Sequence, residues 1–119
     1  MKMSELREFH SVKQWLLPKG TFTRGTEGIY LDSLMMICYF LRENPDSLVE
    51  RVRNNREELE QIDHALATYM DEKLHLKSTT IHDKLSALFS FLRANGILIS
   101  RDNIKKMHDK IPILKFRKK

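Results

Sequence analysis

Between Ile29 and Leu41, eleven of thirteen residues are apolar, and the two exceptions, Asp32 and Ser33, are adjacent. A helix made from this run has almost no polar face. It must therefore be covered on nearly all sides, inside a bundle or at an interface between chains. The run is too short for a bilayer, which takes about 20 apolar residues. The sequence thus predicts an all-α protein: a compact bundle of about five helices with a central apolar helix. That central helix is read as residues 29–43, wrapped by its neighbours.

The flanking punctuation supports this. A first helix is predicted from Ser4 to about Leu17, with Ser4 as N-cap and Leu6, Phe9, Val12 and Leu16 at helical spacing; Pro18 and Gly20 end it. Trp15 reads as a core anchor. Residues 18–28 read as a surface loop. The segment from Gly20 to Thr26 echoes the start of a phosphate loop, but Thr26 and Glu27 stand where its lysine belongs.

Asn44 before Pro45 reads as an N-cap followed by a first helical residue. From there Leu48, Val52, Asn55, Leu59, Ile62, Leu66, Tyr69 and Leu76 follow alternating four- and three-residue spacing, with Lys73 in the same seam. Unbroken, this helix would be about 45 Å long. Either it breaks at Asn54-Asn55, with Asn55 and Glu58 as a cap pair, or it stays long and packs on a second copy. A fourth helix is expected from Thr80, capped with Asp83, to about Asn95, with Ile81, Leu85, Leu88, Phe89 and Leu92 inward and Asn95-Gly96 as C-cap. Ser100 should cap a fifth helix, residues 101–110, with Ile104, Met107 and Ile111 inward. Ile113 to Phe116 reads as a short strand, paired with residues 96–99.

Length fits one domain, residues 1–119, with 101–119 as a basic helix and tail. At 41% hydrophobic and 31% charged the composition is that of a folded chain. The single cysteine, Cys38, excludes an internal disulfide and reads as a buried thiol in an intracellular protein, cytoplasmic or nucleoid-associated. Glu5, Arg7 and Glu8 interrupt the N-terminus where a signal peptide would need apolar residues.

Charge is unevenly distributed. Residues 101–119 hold eight Lys/Arg and two Asp, a net of +6, whereas residues 1–100 hold thirteen Lys/Arg and fourteen Asp/Glu, a net of −1. A cationic end on a neutral body points to a polyanionic partner, nucleic acid first and DNA before RNA. The fourth and fifth helices resemble a helix-turn-helix in outline, although the connection from Asn95 to Ser100 exceeds the usual three or four residues. The expected contacts are Arg101, Lys105, Lys106 and Lys110 on the fifth helix and Lys115, Arg117, Lys118 and Lys119 in the tail, with Asn103 as a base-edge reader. The apolar helix or the long seam would form a homodimer.

The alternative is a non-enzymatic interaction module (adaptor, chaperone or inhibitor of a larger enzyme) whose basic tail meets an acidic protein. Attachment to acidic lipid through the tail and Phe116 ranks below both. The five histidines are scattered. Glu60 with His64, and Asp71 with His75, share helix faces as solvated pairs, and no metal-ligand cluster, nucleophile motif or cofactor signature is present. No enzymatic activity is expected.

Overall fold

The structure is a computed structural model that describes residues 2–16 and 24–115. Its order is α1 (Met3–Leu6), α2 (His10–Leu16), α3 (Arg24–Leu41), α4 (Pro45–Asn54), α5 (Glu57–Glu72), α6 (Ser78–Ala94), α7 (Arg101–Asp109) and α8 (Pro112–Lys115). The fold is all-α, as the sequence implies, and among the described residues there is no strand. The Cα radius of gyration is 13.8 Å.

The expected first helix is divided in two. Its break has a tertiary cause: Asp46, in the first turn of α4, accepts from both the backbone N–H (2.9 Å) and the hydroxyl (2.5 Å) of Ser11. Ser11 therefore spends its N–H on a neighbouring helix, and α2 starts afresh with a carboxylate at its positive end. The proposed Ser4 cap is replaced by Lys2, whose backbone N–H donates to Glu5 at 2.6 Å. The stop at Pro18 and Gly20 lies outside the described residues. Trp15 is the expected anchor: 2% exposed, stacked on Tyr30 at 5.6 Å, edge-on to Phe91 at 5.3 Å, and donating to the Ser90 hydroxyl at 3.0 Å.

Of the expected loop over residues 18–28, residues 24–28 are helix instead, because α3 begins at Arg24 and runs through Gly25 and Gly28; residues 18–23 lie outside the described residues. The part of the phosphate-loop echo before Arg24 lies outside the described residues; the rest of it, Arg24 to Thr26, is helix. The apolar run is helical, but it is not the most enclosed element. Leu31, Leu34, Ile37 and Cys38 are buried, while Ile29 and Tyr39 are 63% and 81% exposed. The central helix is α6, which packs against α2, α3, α5 and α8. It buries Ile81, Leu85, Leu88, Phe89 and Leu92 as expected, and also Ala87 and Phe91 from its other sides. Each large side chain so enclosed contributes about 1.5–3 kcal/mol of transfer free energy. Cys38 is buried, and that burial, with Glu43 nearby as the lesser cause, pushes its thiol up to about 12.

The long third stretch takes the first of its two courses. It breaks at Asn55, whose extended backbone (φ −147°, ψ 98°) ends α4 and whose side chain accepts from the Glu57 N–H at 3.1 Å. Glu58 serves differently from the expected cap pair: it binds Arg51 across the break at 2.6 Å, and Arg51 also reaches Glu43 at 3.3 Å. The hydrogen bond to Glu58, reinforced by the two carboxylates' charge, raises the Arg51 guanidinium above its ordinary range. Once broken, the seam turns inward, and Leu48, Val52, Leu59, Ile62 and Leu66 are buried in their own chain. Those five positions are therefore taken up by the chain's own core.

The C-terminal caps fall where the sequence places them. After α6, Gly96 (φ +86°) takes the left-handed position. Its N–H donates to Arg93 at 3.0 Å, and the Ile97 N–H donates to Leu92 at 3.1 Å. This is a Schellman closure, with Ile97 buried against the helix it ends. The helix begins earlier than Thr80, at Ser78. The expected strand pairing is absent because residues 112–115 are helical and side chains satisfy the connector's carbonyls. Arg53 donates to Asn95 at 2.6 Å, Arg56 donates to Leu98, and Arg93 donates to Ile99 at 2.9 Å. Three guanidinium groups thus do for residues 95–99 what a partner strand would have done.

Candidate functional site

Helix α7 is fixed at its start by Ser100. The serine hydroxyl accepts from the Asn103 N–H at 3.0 Å and donates to the Asn103 side-chain oxygen at 2.9 Å. Met107 and His108 are buried and Ile104 half-buried, so the inward stripe matches the spacing, with His108 added to it. Ile111 and Leu114 continue the apolar contact into α8, which packs on α6.

This geometry divides the expected contact residues between two flanks. On one flank, Arg101 and Lys105 meet Arg93 of α6 around a cleft of about 440 Å³. On the other, Asn103, Lys106 and Lys110 face Arg56, Glu57 and Glu60 across a smaller hollow of about 340 Å³. There Lys110 is paired with Glu60 at 2.7 Å. The second flank is thus partly neutralised by the protein's own acids. The oxygen of the Asn103 amide is committed to the cap, which weakens it as a base reader. Lys115 belongs to α8, and the tail residues Arg117, Lys118 and Lys119, with Phe116, lie outside the described residues.

The cleft between α6 and α7 carries a feature that charge counting misses. His108 lines it with only 7% of its surface exposed. Behind it, the fully buried Asp63 of α5 presents its oxygens 3.3 Å (Oδ1) and 3.2 Å (Oδ2) from His108 Nε2. An ionised carboxylate can only accept, so Nε2 carries the proton and the other ring nitrogen is not committed to Asp63. His82 of α6 lies edge-on to His108 at 5.2 Å, and Phe89 at 5.9 Å. A carboxylate taken out of water is costly unless a polar partner meets it, and here the imidazole is that partner. A signal for this pair exists in the sequence. Asp63 follows Leu59 by four residues and precedes Met70 by seven; His108 follows Ile104 by four and precedes Ile111 by three. Each polar residue occupies an apolar-stripe position.

The other histidine pairs behave as surface groups: His64 and His75 are exposed. Among the described residues no group of three or more His, Cys, Asp or Glu could hold a metal ion. No helix among them is long and apolar enough to cross a membrane. Comparison of the chain with protein-family models, curated proteins and solved structures finds no match.

Proposed function

We propose that this chain is a small nucleic-acid-binding regulatory protein, with DNA the first candidate, and that it grips phosphates along the α6–α7 edge and the basic tail. One observation carries the reading. Arg93, Arg101 and Lys105 come from two helices yet line a single cleft, at the root of the +6 segment. The pinned connector supports it, because Arg93 is held by Ile99 rather than left to search. Phosphates would supply most of the affinity and little of the specificity. Lys106 and Lys110, facing Glu57 and Glu60, would contribute least.

The contacts counted are Arg93, Arg101, Lys105, Lys115, Arg117, Lys118 and Lys119. Seven phosphates give a slope of log K against log salt of about −6 on duplex DNA, and removing residues 116–119 reduces it to about −4. Retention of the duplex with no change of slope on that deletion would contradict a role for the tail.

A second reading is favoured by a different surface. Tyr39, 81% exposed, stands with Met35, Phe40 and Tyr69 around a hollow of about 500 Å³ on α3 and α5. An interaction module would use this apolar face for a second copy of the chain or another protein, and its basic end for an acidic surface. Sedimentation of the wild type and Tyr39→Glu separates the two. A dimer dispersed by the substitution supports this reading, whereas a monomer in both removes the homodimer.

A further inference from the structure

We propose that the α6–α7 cleft receives a phosphomonoester, the terminal phosphate of a nucleic-acid strand, rather than only the diesters along its length. The inference rests on the nucleic-acid reading above and adds to it the chemical form of the group bound.

Three features of the cleft lead there. The first is charge. Arg93, Arg101 and Lys105 line it, and among its described lining residues Asp109 is the one carboxylate. With histidines neutral the balance is +2. A backbone diester carries one negative charge; a monoester carries about 1.5 to 2 near neutral pH. The second is depth. His108 lines the cleft but is nearly buried. Diesters on the outside of a duplex are reached by long flexible cations and have no use for a recessed imidazole. A terminal phosphate is joined to its strand through one oxygen only, so its other three oxygens can enter, accept from the arginine and lysine side chains and bring one of them to the imidazole. The third is preorganisation. Asp63 holds the Nε2–H of His108, which fixes the ring and leaves Nδ1 as an acceptor; the P–OH of a singly protonated monoester can donate to it, whereas a diester has no proton to give. The cleft, at about 440 Å³, lies in the size range of small-ligand sites and suits one terminal nucleotide, with Ile104 and Phe89 as its apolar wall.

The test uses the full chain and three probes: a 3′-labelled single-stranded oligonucleotide with a 5′-phosphate, the same strand with a 5′-hydroxyl, and a nucleoside 5′-monophosphate. Anisotropy gives the labelled strands' affinities and competition gives the nucleotide's. Histidine ring NMR reads the site directly, so no variant of the buried pair is required. The 5′-phosphorylated strand is expected to bind at least about tenfold tighter than the hydroxyl strand. It should also move the His108 ring signals, which the hydroxyl strand should leave in place. Arg101→Gln, an exposed change, should remove most of that preference. Equal affinities with unmoved His108 signals would overturn the proposal while leaving the salt-sensitive phosphate reading intact. A nucleotide that competes as well as the phosphorylated strand would overturn the strand-end assignment in favour of a free phosphomonoester. Failure of every probe to bind would overturn the strand-end proposal, and the duplex salt titration decides the phosphate reading on its own.

Discussion

Replacing His108 with alanine should destabilise the fold far more than the loss of one small ring from a helix near the surface would suggest. The cause is Asp63. Its side chain is fully buried, and among the described residues His108 is its hydrogen-bond partner. Removing the imidazole strands a charge in the interior, which costs about 3–5 kcal/mol. For a domain whose total stability is of the order of 5–15 kcal/mol, that is a large share. The companion change Asp63→Asn removes the charge but keeps the shape, and should cost about 1–3 kcal/mol for an imperfectly satisfied amide. With the charge gone, His108→Ala loses its main penalty. The double variant should therefore be more stable than the sum of the singles by about 2 kcal/mol, within the range seen for contacting residues. Urea unfolding followed by the fluorescence of Trp15, the single tryptophan and 2% exposed, measures all four proteins. If His108→Ala costs less than about 1 kcal/mol, or costs the same in the Asp63→Asn background as in the wild type, the buried pair does not hold these helices as described.

Two further outcomes follow from the fold. Gly96→Ala should destabilise by about 1–2 kcal/mol in the same unfolding assay, from backbone strain alone, since φ is +86° and an added Cβ would meet no atom within 4 Å. Cys38 should resist alkylation at pH 8 until the chain is unfolded. With its folded thiol pushed up to about 12 from 9.0, the folded state holds the proton more tightly than the unfolded. The resulting stabilisation is complete below pH 9 and is lost as pH rises from 9 towards 12; a flat stability profile across that window would contradict it.

Much of the fold is local and therefore legible. Asn44-Pro45, Asn95-Gly96 and Ser100 announce helix ends because capping is settled within a few residues, and all three serve as expected. The seam's break at Asn55 is one of two courses open to the sequence, since spacing alone does not say whether a second chain is present. What escapes is long-range. Residue 11 is capped from residue 46, and no periodicity in the first helix could show that its N–H would be diverted there. Gly25 and Gly28 favour a loop by propensity, but helix packing overrides that weak preference. The apolar run of α3 reads as central because its own residues are apolar all round. Enclosure depends on neighbours, and α6, with a narrower expected stripe, has them on more sides.

The candidate site is legible by half. The charge segregation points to α7, and Arg101 and Lys105 line one cleft. It could not show that Lys106 and Lys110 turn towards Glu57 and Glu60, because that depends on how α7 lies on α5. Nor could it join Asp63 to His108 across 45 positions, although both stand out as polar residues in apolar stripes.

The most direct measurement is a salt titration of duplex binding for the wild type and for Arg101→Gln/Lys105→Gln, read by anisotropy between about 50 and 200 mM salt. Engagement of phosphates at the α6–α7 edge requires a wild-type slope of about −6 and a reduction of about 2 in the variant. Weak binding whose slope is near zero, or a steep slope that the variant leaves unchanged, would place the contact elsewhere.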